Sequence, residues 1–208
     1  MPKGWDHDPP AKVKLIPFGI LMVATGALML LFGSRDTSDA WVDALKLWWL
    51  QVREGVGRVK RLVIYLDNGP KNSGRRTQSL KRMVEFADWS GLEVRLVYYP
   101  PYHSKYNPIE RCWGVLEVYW NGELLDSEAA VTGFAGNMTY AGKHPHVYQV
   151  QQTYSKGVRR SKDEMKSLEQ RMVRLEGLPK WFVTIAPPKS DEIILPARVT
   201  HCPLLCLP

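Results

Sequence analysis

Residues 61–99 read RLVIYLDNGPKNSGRRTQSLKRMVEFADWSGLEVRLVYY, and this stretch predicts the fold class. Its first part, residues 61–67, is a continuous apolar run closed by an aspartate, which is typical of a central strand covered on both faces. After the loop NGPKNSG, residues 75–91 place apolar side chains on one helical stripe that ends at Gly91. Residues 92–99 then form another strand. Strands that alternate with helices indicate an α/β fold.

Residues 15–33, LIPFGILMVATGALMLLFG, carry no charge and are long enough for a membrane-spanning helix. Pro17 and Gly19 fall in what would be its first turn, and Thr25-Gly26 sits in the middle, where a hairpin turn would sit. We therefore predict two short buried strands. A membrane span stays open as the alternative, because periodicity alone cannot distinguish the two.

Residues 34–55, SRDTSDAWVDALKLWWLQVREG, predict an amphipathic helix, since Trp41, Leu45 and Trp48 recur at three- and four-residue steps. Thr37 or Ser38 can cap it. The order strand, strand, helix, strand, helix, strand, helix predicts a mixed sheet flanked by helices. Simple polar exposure is the expectation for three aspartates in and before this helix: Asp36, Asp39 and Asp43.

The C-terminal third carries weaker patterns. Residues 123–142 and the charged segment 161–176 are predicted to be helical, and residues 143–160 contain a basic turn, KGVRR. The expected organisation is an irregular segment over 1–12, one domain over 13–185 and an unassigned tail over 186–208.

The overall charge favours an anionic partner. The net charge is +7 and the sequence pI is about 9.3, so nucleic acid or an anionic membrane surface leads. The composition, 45% hydrophobic and 24% charged, is that of a globular chain rather than a disordered one. Three cysteines argue against a disulfide scaffold and fit a reducing cytoplasm.

Asp67 is the first candidate site residue. It ends an apolar strand, and ligands of open α/β sheets bind beyond the carboxyl ends of the strands. A carboxylate there can reach both solvent and a metal ion. The alternative is a turn-forming aspartate in the common loop pattern DNGP, which is favoured when this motif is taken alone.

Glu110 is the second candidate, within YYPPYHSKYNPIERCWG, residues 98–114. The alternative is a capping box, with Asn107 as N-cap and Pro108 as the first helical residue. That reading does not explain the loop before it, where prolines lock φ and remove donors. Aromatic side chains interleaved with cations suit stacking on bases and neutralising phosphates.

LDNGPKNSGRR followed by PPYHSKYNPIERCWG resembles the second and third acidic blocks of bacterial DDE transposases, and more narrowly of one insertion-sequence family distantly related to the mariner-like group. The hairpin FGILMVATGALMLLFG and the segment SRDTSDAWVDALKLWW resemble that family's middle strands and first core helix. HPHVYQVQQTYSKGVRRSKDEM and LPKW resemble its C-terminal part. The resemblance extends over roughly residues 5–185.

The resemblance implies a ribonuclease H-like core and DNA cleavage and strand transfer in transposition that depend on Mg²⁺ or Mn²⁺. In such enzymes three carboxylates hold two metal ions about 4 Å apart. By motif match Asp67 is the second acid and Glu110 the third, so both would be catalytic metal ligands. The implied partner is DNA carrying the element's terminal inverted repeats, bound by a complex that can contain several copies of the chain. No membrane partner is implied.

Further roles in DNA contact are expected. Phosphate contacts are assigned to His103, Lys105 and Arg111, while Tyr102 and Tyr106 are expected to stack on the DNA or to pack beside it. Backbone contacts are assigned to Arg75 and Arg76, although a solvated helix start explains these two equally well. Core positions are expected for a helical stripe and one small neighbour: Trp113, Leu116, Trp120 and Cys112.

The chain departs from the family at the first acid, which lies on a first core strand upstream of the hairpin. Asp6 and Asp8 align with a loop after that strand. In a ribonuclease H-like sheet the missing strand would lie between the hairpin and the Asp67 strand, and its loss would leave unpaired edges. We therefore expect an N-terminally truncated domain that is inactive alone. The alternatives are a non-catalytic nucleic-acid-binding remnant and a small membrane protein anchored by residues 15–33.

Overall fold

The computed structural model of the protein describes residues 14–100, 102–188 and 204–206. Its first half follows the predicted order of strand, strand, helix, strand, helix, strand, helix. In chain order the elements are β1 Ile16–Met22, β2 Ala27–Gly33, α1 Ser38–Val52, β3 Arg61–Leu66, α2 Thr77–Ser90, β4 Glu93–Tyr98, a 3₁₀ turn Ser104–Tyr106, α3 Ile109–Trp120, α4 Glu128–Asn137, β5 His146–Val150, α5 Lys162–Glu169, β6 Met172–Arg174, β7 Phe182–Ile185 and β8 Leu204–Cys206.

The uncharged N-terminal run is a β-hairpin, as predicted. β1 and β2 pair antiparallel, and the backbone N–H groups of Thr25 and Gly26 both donate to the carbonyl oxygen of Met22, at 3.1 and 2.9 Å. Gly26 has φ +69°, a conformation that glycine adopts without strain. Residues 15–33 therefore form no membrane-spanning helix. None of the helices in the described part of the chain is long and apolar enough to cross a membrane.

The strands form two mixed sheets. The hairpin sheet has the order β1-β2-β5-β8, and the Asp67 sheet has the order β3-β4-β7-β6. The pairs β2–β5 and β3–β4 are parallel, and the remaining pairs are antiparallel. The predicted α/β class is confirmed, and mixed sheets flanked by helices are compatible with a ribonuclease H-like domain.

β1 and β3 are each an end strand of their sheet, and each pairs along one edge only within the described residues. The resemblance puts a first core strand beside these two edges. The sheets nevertheless share one hydrophobic core, because α1 packs on the hairpin sheet, α2 packs on the Asp67 sheet, and the two helices pack on each other.

β3 corrects one prediction. We expected it to be a central strand covered on both faces, but it is an edge strand, and Val63 and Tyr65 are 40% and 50% exposed. The apolar run correctly indicated a strand. It did not indicate burial of both faces, because an apolar run does not show whether another layer covers the strand.

β2 of the hairpin sheet is buried on both faces. Along β2, Met29 and Leu31 point into the core shared with α1, while Leu28, Leu30 and Phe32 point into a second cluster with α3 and α4. The side-chain alternation of a strand explains how one continuous apolar run fills two cores.

The start of α1 is capped as predicted, since Thr37 Oγ1 accepts from the backbone N–H of Ala40 at 3.1 Å. The expected simple exposure of the nearby aspartates is wrong. Asp36 accepts from Trp41 Nε1 at 3.0 Å, and both Asp39 and Asp43 pair with Arg82 of α2. Ion pairing across the α1–α2 contact accounts for Asp39 and Asp43, and the indole hydrogen bond accounts for Asp36.

The C-terminal third is less helical than predicted. Within residues 123–142 only Glu128–Asn137 is helical, and the charged helix stops at Glu169, so that Met172–Arg174 forms a strand. The short strands β5 and β7 were also not predicted. Each pairs with a longer strand, and such pairing overrides weak local preference. Most of the tail after residue 186 lies outside the described residues.

Candidate active site

Asp67 follows directly on Leu66, the last residue of β3. The backbone N–H of Tyr99 donates to the carbonyl oxygen of Leu66 at 2.8 Å, which carries the parallel β3–β4 pairing to its end. The ring of Tyr99 lies 6.1 Å from that of Tyr65, centroid to centroid. Asp67 therefore emerges where two parallel strands end, which is where α/β sheets place their ligands.

The two oxygens of the Asp67 carboxylate differ. Oδ1 accepts from the backbone N–H of Gly69 at 3.1 Å and from Asn72 Nδ2 at 3.0 Å, whereas no described residue donates to Oδ2. Asn68 makes the turn in the left-handed region, at φ +61°. Asp67 therefore does form the turn, but the turn uses only one of its two carboxylate oxygens. The sequence reading missed Asn72, because an amide inside a Gly-Pro loop gives no periodic signal.

Glu110 does not belong to a capping box. α3 begins at Ile109, and its cap residue, Pro108, has no side-chain hydrogen bond to make. Asn107 instead accepts from the Glu110 backbone N–H through its carbonyl oxygen, at 3.0 Å. The capping alternative is wrong because the helix starts one residue later than it requires. The exposed Glu110 carboxylate accepts no hydrogen bond from the described residues.

The two acids influence each other. Partial burial raises the pKa of the Glu110 carboxyl, and the negative charge of Asp67 raises that pKa further. Two carboxylates that repel each other favour a cation between them, so this arrangement can attract a metal ion. Among the described residues no group of three or more acidic, histidine or cysteine side chains could hold a metal. The charge of Asp67 thus influences Glu110, and the described residues hold no cluster of three such side chains.

The loop before Glu110 presents its two aromatic residues differently. The ring of Tyr106 stacks on His103 at 5.9 Å, and Lys105 Nζ lies 5.2 Å from the same ring. Tyr102 is 97% exposed and has φ +66°, which is unusual for tyrosine and costs about 1–3 kcal/mol. Tyr102 is therefore the side chain that is most open to an incoming ring.

The other predicted contacts are more dispersed. Arg111 is exposed on the first turn of α3. Arg75 lines an open cleft of about 490 Å³ together with Arg174 and Lys180. Arg76 precedes α2, and its Nε is buried without a described partner. No hydrogen bond or ion pair between described residues joins Arg75 or Arg76 to the two acids.

The expected core positions of α3 are confirmed. Cys112 and Leu116 are buried in the cluster beneath the hairpin sheet. Trp113 and Trp120 are partly buried against the same cluster. Gly19 of β1 meets the Trp113 ring so closely that a Cβ there would lie 2.6 Å from it. This contact fixes the helix that carries Glu110 on the sheet.

The family model described as the Rhodopirellula transposase DDE domain matches residues 3–187, a range that includes both acids. No curated protein and no solved structure matches the chain.

Proposed function

The chain belongs to this family of DDE transposases, and we propose that it is part of a catalytic domain that cleaves and joins DNA in the transposition of an insertion sequence. The observation that carries the proposal is the pair formed by Asp67 and Glu110. One acid ends β3 and the other opens α3, neither is neutralised by a described cation, and each keeps oxygen atoms without donors.

The donor set suits a divalent cation such as Mg²⁺ or Mn²⁺, which prefers carboxylate oxygens. Asp67 Oδ2 and the Glu110 carboxylate would hold it. Bound ions of this kind activate the attacking oxygen and stabilise the leaving oxygen in phosphodiester chemistry. The Gly69–Asn72 turn keeps the Asp67 carboxylate oriented, and the loop before α3 fixes where Glu110 starts.

DNA would approach over the loop that precedes Glu110. Lys105 and Arg111 are exposed and cationic, so they suit phosphates, and His103 is assigned the same role. Tyr102 is open enough to stack on a base, while Tyr106 is already held by His103 and Lys105. Arg75 and Arg76 would contact the DNA backbone from the start of α2.

We propose further that this chain alone is not catalytically competent, with residues 13–185 as a partial domain. Among the described residues no third acidic, histidine or cysteine side chain joins the two acids, whereas two-metal chemistry uses three carboxylates. Within the same part of the chain, the unpaired edges of β1 and β3 are where a first core strand carrying that acid would pair. The active complex in this proposal contains several copies of the chain and works in the cytoplasm.

A cleavage and strand-transfer assay on DNA with the element's terminal inverted repeats tests this function. The chain alone should give no product with Mg²⁺ or Mn²⁺. A longer chain, whose added N-terminal strand carries an aspartate, should nick the DNA, and Asp67→Asn or Glu110→Gln should abolish the nicking. Nicking by the chain alone that disappears in Asp67→Asn would contradict the claim of incompetence. An active longer chain that keeps its activity in Asp67→Asn would contradict the site.

The second candidate is a non-catalytic DNA-binding protein. The exposed Tyr102 and the neighbouring cations favour it, because stacking and phosphate contacts need no metal. It predicts salt-dependent binding of single- or double-stranded DNA that EDTA does not change. Tyr102→Ala and Lys105→Ala should weaken DNA binding whether the protein is catalytic or not, so these variants do not separate the two candidates. The nicking assay with the longer chain does.

A further inference from the structure

Asn72 is a buried amide directed at the Asp67 carboxylate. Its side chain is 7% exposed, and Nδ2 donates to Asp67 Oδ1 at 3.0 Å. Its own backbone N–H donates to the carbonyl oxygen of Gly69 at 3.2 Å. Asn72 therefore closes the same turn whose Gly69 N–H supplies the second hydrogen bond to Oδ1.

The residues on both sides of Asn72 are held by hydrogen bonds. Ser38 Oγ of α1 donates to the carbonyl oxygen of Lys71 at 2.6 Å, and the backbone N–H of Arg76 donates to the carbonyl oxygen of Ser73 at 2.9 Å. A Cβ at Gly69 would lie 3.3 Å from Asp67 Oδ1 and 3.4 Å from Asn72 Oδ1. A side chain at position 69 would therefore press on both Asp67 and Asn72.

The side-chain oxygen of Asn72 is unusual. Asn72 Oδ1 is buried and has no hydrogen-bond partner among the described residues. Burying such an oxygen is unfavourable, so the amide as a whole is a poor device for stability alone. Its favourable contact is with Asp67, which stands at the end of β3.

From this geometry we infer that Asn72 is a positioning residue. Its Nδ2 holds Asp67 Oδ1 so that Oδ2 is presented for a divalent cation shared with Glu110. The inference rests on the proposed function, because it gives Asn72 a role toward the metal that this function requires. Substitution of a residue that orients a ligating carboxylate typically weakens metal binding by about 10- to 100-fold.

Asn72→Leu tests the inference, since leucine keeps the branched shape but removes both the donor and the orphaned acceptor. Gln78→Leu is the matched control. Gln78 is also a buried amide that donates to an aspartate, from Nε2 to Asp39 Oδ1 at 2.7 Å, and it lies in the α1–α2 contact. Tb³⁺ serves as the probe, because it prefers oxygen ligands and Tyr65 and Tyr99 beside Asp67 can sensitise its emission.

In Asn72→Leu we expect the Tb³⁺ dissociation constant to rise at least about 10-fold, with the melting temperature nearly unchanged. In Gln78→Leu we expect a lower melting temperature and an unchanged Tb³⁺ affinity. Asp67→Asn gives the background of nonspecific binding. Where Asn72→Leu does not fold, Asn72→Ala takes its place, and failure of both to fold would show a structural role and overturn the inference.

Two results separate the inference from the function beneath it. Tb³⁺ binding that depends on Asp67 and Glu110 but is unchanged in Asn72→Leu would overturn the role of Asn72 and leave the site intact. Binding by the unaltered protein no stronger than by Asp67→Asn would overturn both.

Discussion

β2 of the hairpin sheet and β3 of the Asp67 sheet are both apolar in sequence, yet they are covered very differently. β2 is buried on both faces, by α1 on one side and by α3 and α4 on the other. β3 has one face in the core and one face open, with Val63 and Tyr65 exposed. Asp67 follows the end of β3, whereas Glu110 opens α3, which packs on the hairpin sheet. β2 therefore contributes more packing than β3, and Asp67 lies at the end of the less covered strand.

The largest expected effect comes from the centre of the hairpin sheet. Phe32→Ala should lower the free energy of unfolding by about 3–5 kcal/mol, because the ring is fully buried and its removal leaves a cavity. Urea denaturation measures this change. The control in the other sheet is Val173→Ala, which should cost under about 0.5 kcal/mol at an exposed position. Equal losses would remove the contrast between buried and exposed strand positions.

The caps of two helices should also differ, with a larger loss of stability at the buried cap than at the exposed one. Thr37→Ala removes a buried cap of α1, which packs in the shared core, and should cost about 1–2 kcal/mol. Ser127→Ala removes the exposed cap of α4 and should cost about 0.5 kcal/mol. Thermal denaturation of the two variants gives the order, and a larger loss for Ser127→Ala would reverse it.

The open face of β3 should tolerate a polar side chain. Val63→Thr keeps the branched shape and should change the free energy of unfolding by less than about 0.5 kcal/mol, because this position is already exposed to solvent. It should also reduce self-association in sedimentation velocity, since an exposed apolar edge strand invites pairing. A loss above about 1 kcal/mol would mean that another surface covers this face in solution.

The smallest expected effect has a diagnostic sign. The pKa of Glu110 is raised by partial burial and by Asp67, so the ionised carboxylate is disfavoured in the folded chain. The stability that Glu110 contributes is present at low pH and is lost as the pH rises through its raised pKa. Without metal, Glu110→Gln should therefore slightly raise the melting temperature at pH 7, and the gain should vanish below about pH 4. A lower melting temperature at pH 7 would indicate a favourable partner for Glu110.

The sequence predicted the elements whose apolar pattern is long. α1 and α2 formed where periodicity placed them, and the hairpin, β3 and β4 formed where apolar runs and turn residues placed them. β5 and β7 were missed because they have few residues and form by pairing with strands distant in the chain. The exposure of β3 could not be predicted either, because an apolar run does not say whether a neighbouring layer is present.

The candidate site divides in the same way. Asp67 and Glu110 were found from their positions at element boundaries and from the family resemblance. The capping alternative failed by one residue, since Pro108 rather than Asn107 precedes the helix. Asn72 was missed because its contact with Asp67 depends on the fold of the loop between them, which no periodic pattern encodes.

The most direct test of the central claim is Mn²⁺ titration followed by paramagnetic broadening of the amide signals in ¹H–¹⁵N spectra. The account predicts that one Mn²⁺ site broadens signals around Asp67 and at the start of α3 together. Either Asp67→Asn or Glu110→Gln alone should then remove the broadening at both places. Broadening confined to one acid, or broadening that survives both substitutions, would contradict a shared metal site.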